Sequence, residues 1–366
     1  MTALSPRLSP ETPRQRHRMP SPDVQPLHPV TGPAEVRHDA MAEVVERIAP
    51  PDLHVRFPWR DLDAIYGPLL PGSVHIVSAR TGSGKTLFVL NWLWSLIAPT
   101  PHTPVAYFPL ETPAKEVVIR LACHSINVHP ADVLRGDFSA VPGGREGFTK
   151  AVGIVTDALL KARIYPGSLA MAPRLFLYDE PTISVPALRL AVLDAAERGC
   201  RVVIVDHLLR LDLGDQTNLY AQVSVAIRQL KMLAEEAGVV MIVTSQQSRA
   251  TGGTKLAWYA APDLQALKGA GTIEEEADGV LFLHRVLRDD ITEKDRRAVE
   301  AGLTPLQDIV AAHLMGCAIG KHRLDGGQVG AACRLYVENG LVADLPDHIR
   351  RDWQAAQHAI RTASRV

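Results

Sequence analysis

One run of eight residues carries the clearest chemistry in this sequence. It reads Ala79-Arg80-Thr81-Gly82-Ser83-Gly84-Lys85-Thr86 and fits the phosphate-loop pattern with alanine in place of the first glycine. Small residues at the start of a helix let backbone N–H groups wrap phosphate oxygens. In this pattern Lys85 reaches the β and γ phosphates and Thr86 is a ligand of Mg²⁺. The spacing predicts a nucleotide site; the alternative is a glycine-rich turn between a strand and a helix.

Carboxylates that end apolar segments are the next candidates. Asp206 follows the apolar run 202–205, and Glu111 follows the run 105–110. On neighbouring parallel strands both side chains would lie beside the phosphate loop. Asp206 would then hold Mg²⁺ through water, and Glu111 would be the general base that polarises the attacking water. An alternative for Glu111 is the N-cap of a helix that starts near Pro113.

A second acidic segment offers a competing interpretation. The run 175–182, with Asp179 and Glu180, looks like the Walker B segment of an ABC transporter ATPase, and His207 would then be its switch histidine. However, the Leu-Ser-Gly-Gly-Gln signature of that class does not precede Asp179. About 160 residues also follow His207, where that class has little left. The ABC-type ATPase therefore ranks below the first assignment.

Apolar strands must position these residues. Six are predicted, at 74–78, 105–110, 175–179, 202–206, 239–245 and 280–284, and helical patterns such as 219–237 lie between them. Continuous apolar strands that alternate with helices are typical of a mostly parallel sheet covered on both faces. The predicted fold class is therefore α/β.

Composition sets the boundaries and limits the partners. Eight of the first 33 residues are proline, which predicts a disordered tail over 1–33, followed by a linker helix over 34–51. The large domain is predicted over 52–345, with a helical tail over 346–366. Lys plus Arg number 39 and Asp plus Glu 40, so any contact with nucleic acid must be local. The sequence shows neither a signal peptide nor a membrane span, and a cytoplasmic location is expected.

Taken in order, the motifs resemble the ATPase domain of DnaB-type replicative helicases, which has a RecA-like P-loop fold. The resemblance runs from about residue 62 to residue 337. It rests on the phosphate loop and, in order, on Phe108-Pro109-Leu110-Glu111-Thr112-Pro113-Ala114, Val203-Ile204-Val205-Asp206-His207, Ser245-Gln246-Gln247-Ser248-Arg249, Gly271-Thr272-Ile273-Glu274-Glu275-Glu276-Ala277-Asp278 and Ile319-Gly320-Lys321-His322-Arg323. One departure is His207, which stands where the family usually has tyrosine.

The resemblance implies a role for each matched position. It makes Glu111 the catalytic glutamate, Asp206 the Walker B acid and Gln246 the sensor of the γ-phosphate. Lys321 and Arg323 would reach the nucleotide of the neighbouring subunit, where a guanidinium can stabilise the transition-state charge. The loop that would hold single-stranded DNA contains Lys268, Gly269 and Gly271.

The function implied by this resemblance is an ATP- and Mg²⁺-dependent motor. It would assemble as a homo-oligomeric ring, expected to be a hexamer, hydrolyse ATP at subunit interfaces and move 5′ to 3′ on single-stranded DNA. Other replication or mobile-element proteins are candidate partners. The alternative from another class is an ATP-gated DNA-binding switch that loads a further factor without processive unwinding.

Overall fold

The structure is a computed structural model of the 366-residue chain. It describes residues 54–98, 103–161, 163–164, 171–212, 219–247, 273, 275–285, 314–323, 329–347 and 349–351. The predicted tail at 1–33, the linker helix at 34–51 and the DNA loop with Lys268, Gly269 and Gly271 lie outside these ranges. The domain boundaries drawn from composition therefore stay predictions.

Thirteen strands lie in the described ranges. They are β1 (Val74–Ala79), β2 (Val105–Pro109), β3 (Arg163–Ile164), β4 (Met171–Ala172), β5 (Leu175–Leu177), β6 (Ile183–Ser184), β7 (Val202–Asp206), β8 (Leu211–Asp212), β9 (Val240–Gln246), β10 (Gly279–Arg285), β11 (Leu314–His322), β12 (Ala332–Glu338) and β13 (Leu341–Asp344).

Nine of these strands form one sheet in the order β13-β12-β11-β10-β1-β9-β7-β2-β5. The six strands from β10 to β5 pair in parallel, and β11, β12 and β13 extend the sheet with antiparallel pairs. The six parallel strands are the six that the apolar segments predict. The mostly parallel α/β sheet is therefore confirmed, and the antiparallel extension is an addition to it.

The α-helices with complete bounds in the described ranges are α1 (Arg60–Tyr66), α2 (Lys85–Ile97), α3 (Ala114–Ser125), α4 (Pro130–Leu134), α5 (Gly144–Leu160), α6 (Val185–Glu197) and α7 (Leu219–Ala237). The helices that the structure describes are all too short or too polar to serve as a membrane span.

Two hydrophobic cores cover the two faces of the sheet. One core contains Val77 and Ala79 of β1 together with apolar residues of α2, α3 and α5, and the other contains Val74 and Ile76 together with apolar residues of α6 and α7. Alternate residues of β1 thus enter different cores, as the two-residue period of a strand requires. Because β1 is buried along its whole length, both ends of this strand are held firmly.

The strand register brings the candidate residues to one edge of the sheet. Ala79 at the end of β1 is level with Gln246 at the end of β9, and Pro109 is level with Asp206. We call this side the carboxyl edge. At the opposite side, the amino edge, Gly279 at the start of β10 pairs with His322 near the end of β11. The sheet therefore separates two groups of candidate residues.

Candidate nucleotide site

The phosphate loop has the backbone shape that its glycines allow. Gly82 and Gly84 have φ angles of 78° and 92°, a region that side chains with a Cβ rarely adopt. A Cβ at Gly84 would also lie 2.9 Å from the methyl carbon of Met315. Gly84 is the N-cap of α2, which begins at Lys85. The first N–H groups of a helix have no partner within it, so this loop presents donors suited to phosphate.

Asp206 is the buried acid of the site. It ends β7 with none of its surface exposed, and the Asp206–His207 peptide bond is cis. Its carboxylate accepts hydrogen bonds from the hydroxyls of Thr86 at 3.0 Å, Tyr107 at 3.2 Å and Thr244. All three partners are neutral. The carboxylate is therefore bonded through neutral hydroxyl groups next to the first turn of α2.

The ammonium of Lys85 belongs to the same charged cluster. Burial lowers the pKa of Lys85, and the carboxylates of Asp206 and Glu111 oppose that shift because they favour the ammonium form. Both acids therefore act on Lys85 at short range. The structure thus brings together the cation and the two carboxylates that the sequence assigned to one site.

Glu111 lies just beyond β2 with half of its side chain exposed. Its Oε2 atom is 3.8 Å from Nε2 of His207, which is beyond hydrogen-bond distance. Nδ1 of His207 accepts the N–H of Leu209 at 3.2 Å, so a neutral imidazole carries its proton on Nε2, the side of Glu111. Burial lowers the pKa of His207, although Glu111 and Asp206 act against that shift.

The alternative that made Glu111 a helix N-cap is wrong. Helix α3 begins at Ala114 with Pro113 at the cap position and no side-chain cap on Pro113 itself. The N–H of Ala114 is instead accepted by Oδ1 of Asp179 at 2.8 Å. Glu111 is therefore left available to the nucleotide site.

The same contact gives Asp179 a structural role. Asp179 follows β5, the outermost parallel strand, and β2, β7 and β9 separate that strand from β1. Asp206, on the central strand β7, makes the contact with Thr86 that a Walker B acid needs. This placement favours Asp206 and counts against the ABC-type interpretation.

Gln246 completes the carboxyl edge. It ends β9, and its side-chain Nε2 donates to the hydroxyl of Thr81 in the phosphate loop. The next residue, Gln247, fixes the base of the loop through a side-chain bond to the carbonyl of Ser78 at 3.2 Å and a backbone bond to that of Ala79 at 3.0 Å. Gln246 and Gln247 thus connect the end of β9 to the phosphate loop.

The oxygen donors at this edge fit Mg²⁺. The hydroxyl of Thr86 and the carboxylate of Asp206 are 3.0 Å apart, and oxygen ligands of this kind suit a small hard cation. Within the described ranges, three or more His, Cys, Asp or Glu side chains nowhere gather into a group that could hold a metal. Mg²⁺ takes few protein ligands and completes its shell with phosphates and water.

Lys321 and Arg323 lie at the amino edge, apart from the phosphate loop. Both donate to the carbonyl of Glu275, at 3.3 Å and 3.1 Å respectively. The six residues of β1 run from one edge to the other, a distance of about 17 Å. These two cations therefore do not join the site of their own chain.

Three contacts at the two edges are not predicted by the sequence patterns. They are the hydroxyls of Tyr107 and Thr244 on Asp206, and the ion pair between Arg323 and Asp278 at 3.0 Å. Tyr107 and Thr244 are polar-tipped residues near the ends of two otherwise apolar strands, a signal that could have been used. For the ion pair the sequence offers no spacing rule, because 45 residues separate its members.

Comparison with known proteins agrees with the geometry. Residues 55–339 match the family described as DnaB-like helicase C terminal domain. The chain is 28% identical over 240 residues to the replicative DNA helicase DnaB of Geobacillus stearothermophilus, covering 65% of this chain and 48% of that protein. It is 32% identical over 267 residues to the DnaB of Leifsonia xyli subsp. xyli, covering 70% of this chain and 51% of that one. The chain thus spans about half the length of these curated relatives.

Solved structures show the same fold. One solved ATPase domain superposes with a TM-score of 0.62 at 21% identity, covering 84% of this chain and 98% of that chain. A DnaB-like replicative helicase, solved to show its interactions with primase, gives a TM-score of 0.63 at 20% identity and covers 86% of this chain and 70% of that one. With a family match over most of its length and a phosphate loop backed by Asp206, this chain belongs to the family of DnaB-like helicase C-terminal domains.

Proposed function

We propose that this chain is an ATP-driven motor that hydrolyses ATP between the subunits of a ring and moves 5′ to 3′ along single-stranded DNA. One observation carries the proposal. The loop with Lys85 and Asp206 lies at one edge of the sheet, and Arg323 lies at the other. A subunit built this way offers a site at one edge and a cation at the other, and head-to-tail packing in a ring brings the two together.

The site residues divide the work of phosphoryl transfer. Lys85 and the N–H groups at the start of α2 bind the β and γ phosphates, where their charge offsets the negative oxygens. Thr86 and Asp206 would hold Mg²⁺, which neutralises charge that develops on the phosphates. Glu111 accepts the proton of the attacking water. Its exposed position suits that role, because the water must reach the carboxylate.

Arg323 of an adjacent subunit supplies the remaining positive charge. A guanidinium offers several N–H donors to the γ-phosphate oxygens in the transition state, and a donor from a second chain ties hydrolysis to assembly. Lys321 is a second cation on the same strand end. Gln246, in contact with the loop, senses whether a γ-phosphate is present.

The DNA contact is proposed from the sequence and from the relatives. Both curated relatives compared above are replicative DNA helicases by name. The segment with Lys268, Gly269 and Gly271 directly precedes the turn at 275–278 and would face the channel of a hexamer. Contacts with phosphates position a strand without reading its bases. Binding should therefore weaken steeply with salt and depend little on base sequence.

The test is strand displacement on a forked duplex with ATP, accompanied by gel filtration with and without nucleotide. Wild-type protein is expected to unwind a fork that offers a 5′ tail and to elute as a ring-sized species. Glu111→Gln should still bind ATP but should lose at least about 100-fold in hydrolysis, since a positioned base contributes on that order. Unwinding should be lost with it.

Glu180→Gln is the matched control, because Glu180 is an exposed carboxylate near the end of the edge strand β5. It should unwind at the wild-type rate, whereas loss in this variant with normal Glu111→Gln would support the ABC-type assignment. DNA-stimulated hydrolysis without any unwinding would contradict the motor and favour the loading switch.

A further inference from the structure

Arg323 is held by three hydrogen bonds to one short segment, residues 275–278, which is the end of a helical turn ahead of β10. Its Nη1 donates to Oδ1 of Asp278 at 3.0 Å, and its Nη2 donates to the carbonyl of Glu275 at 3.1 Å. Its backbone N–H donates to the carbonyl of Asp278 at 2.7 Å. Both the backbone and the guanidinium of this residue are therefore fixed by the same turn.

Asp278 is itself fixed before it meets the arginine. Its Oδ2 accepts the backbone N–H of Val74 at 2.8 Å and the ammonium of Lys231 at 2.8 Å. Lys231 is anchored in turn by a bond to the carbonyl of Gly72 at 2.9 Å. The side chains of Asp278 and Lys231 are 11% and 16% exposed. The Oδ2 atom of Asp278 is thus bonded to Val74 and Lys231, and the Oδ1 atom is bonded to Arg323.

The held guanidinium still has donors to offer. Arginine carries five side-chain N–H groups, and the bonds to Asp278 and Glu275 use two of them. The side chain is 49% exposed. An arginine held along one part of its guanidinium and exposed along the rest can donate to a second molecule without releasing the first partner.

We propose that Asp278 is a positioning residue for Arg323, holding the guanidinium ready for the nucleotide of the neighbouring subunit. This inference rests on the proposed function, in which Arg323 acts on that nucleotide. A long side chain that is free must lose its rotamer freedom when it meets the phosphate, whereas one already held loses less. Asp278 therefore lowers the free-energy barrier to ATP hydrolysis at the nucleotide site of the neighbouring subunit, although it is not itself part of that site.

The first test is steady-state ATP hydrolysis by Asp278→Asn in the assembled protein. Asparagine keeps the shape and one acceptor for the N–H of Val74 but lacks the charge that holds Arg323. We expect kcat to fall about 10- to 100-fold, the range for a misplaced catalytic group, while KM for ATP stays within about twofold. Glu276→Gln is the matched control, because Glu276 forms a surface ion pair with Arg228 at 2.9 Å; it should change neither value.

The second test asks in which subunit Asp278 acts. Asp278→Asn chains keep an intact phosphate loop, and Lys85→Ala chains keep an intact Asp278 and Arg323. Mixed together, they should hydrolyse ATP faster than either variant alone, because each Lys85→Ala subunit offers a held Arg323 to an Asp278→Asn neighbour. In an Arg323→Ala background, Asp278→Asn should cause no further loss.

The outcomes separate this inference from the proposal beneath it. If Arg323→Ala chains are rescued by Lys85→Ala chains and Asp278→Asn chains are not, Asp278 supports the nucleotide site of its own subunit and does not act through Arg323, and the inference is overturned. Normal hydrolysis by Arg323→Ala would overturn the arginine finger and the inference together. Asp278→Glu, which retains the charge, should be more active than Asp278→Asn, and it replaces that variant in the mixing test if Asp278→Asn does not assemble.

Discussion

Two buried aspartates of one sheet have opposite surroundings. Asp206, at the carboxyl edge, is fully buried and bonded to three hydroxyls. Asp278, at the amino edge, is also buried but is paired with two cations, Lys231 and Arg323. A buried charge needs either hydrogen bonds or an opposite charge to be tolerated. At Asp206 the hydrogen-bond donors are neutral and Lys85 acts on the carboxylate electrostatically, whereas at Asp278 both cations donate to the carboxylate directly.

The difference tells the two roles apart. Hydroxyl donors satisfy the oxygens of Asp206 without adding a positive charge, so this carboxylate suits a cation that arrives with a ligand. The charge of Asp278 is already matched within the chain, so this residue suits the holding of a side chain. The type of partner, more than the depth of burial, distinguishes a binding acid from a structural one here.

The largest expected effect comes from Asp206→Asn. It removes the charge while a side-chain oxygen can still accept from Thr86 or Thr244, so the fold should persist. Hydrolysis of ATP should fall about 100-fold or more, since one preorganised electrostatic group contributes on that order. Steady-state ATPase assays measure the loss, and circular dichroism checks the fold. Asp194→Asn, which removes a surface partner of Arg198, is the control; a similar loss in both would contradict the special role of Asp206.

A smaller effect is expected from Lys231→Met, which removes one of the two cations on Asp278. The variant leaves a buried carboxylate oxygen with one bond fewer, and the free energy of unfolding should fall by about 1–3 kcal/mol. Arg228→Met breaks the nearby surface pair with Glu276 and should cost no more than about 1 kcal/mol. Urea unfolding of both variants measures the difference. Equal losses would mean that burial adds nothing to the pair at Asp278.

The smallest effect concerns pH at the amino edge. His75 lies between the hydroxyls of Tyr66 at 2.9 Å and Ser73 at 2.8 Å. Burial lowers the pKa of His75 to about 3; Asp278 opposes that shift, and His322 and Lys231 add to it. The unfolded chain, in which this histidine has its ordinary pKa near 6.5, therefore binds the proton better.

Its contribution to stability is consequently complete above about pH 6.5 and is lost as the pH falls towards 3. Between pH 7.5 and 5.5, His75 should account for about 1 kcal/mol of the lost unfolding free energy. In His75→Asn this part should disappear, which urea unfolding at the two pH values can measure. An unchanged pH slope in the variant would show that His75 is not the group that titrates.

Much of the carboxyl edge could be predicted, because its residues lie in contiguous motifs. The six parallel strands are predicted by apolar runs in the sequence, and each candidate acid or amide of this edge lies at or just after the end of such a run. Helix α7 also begins and ends where the helical pattern over 219–237 predicts. The contact of Asp206 with Thr86 depends on the strand order, in which β9 alone separates β7 from β1, and the alternation of strands and helices does not specify that order.

The amino edge could not be predicted in the same way. Arg323 and Asp278 belong to different motifs, and only the antiparallel return of β11 brings them together. The hairpin of β12 and β13 did carry a signal, since Asn339-Gly340 is a typical two-residue turn. Both residues have positive φ, 51° and 80°, and the neighbouring Glu338 pairs with Leu341. The mixed polarity of β12 hid this strand from a search for apolar runs.

The single strand β1 connects both edges of the subunit. Ala79 at one end starts the phosphate loop, and the N–H of Val74 at the other end is bonded to Asp278. Paired on both sides and wholly buried, β1 cannot stretch or bend appreciably, because packed interiors resist deformation. In the proposed ring, β1 is a rigid connection between the nucleotide site of a subunit and Arg323, which acts on the nucleotide of the neighbouring subunit. Mechanical work would then be done by whole subunits that rotate against each other. Because β1 does not deform, it would transmit this motion from one edge of its subunit to the other.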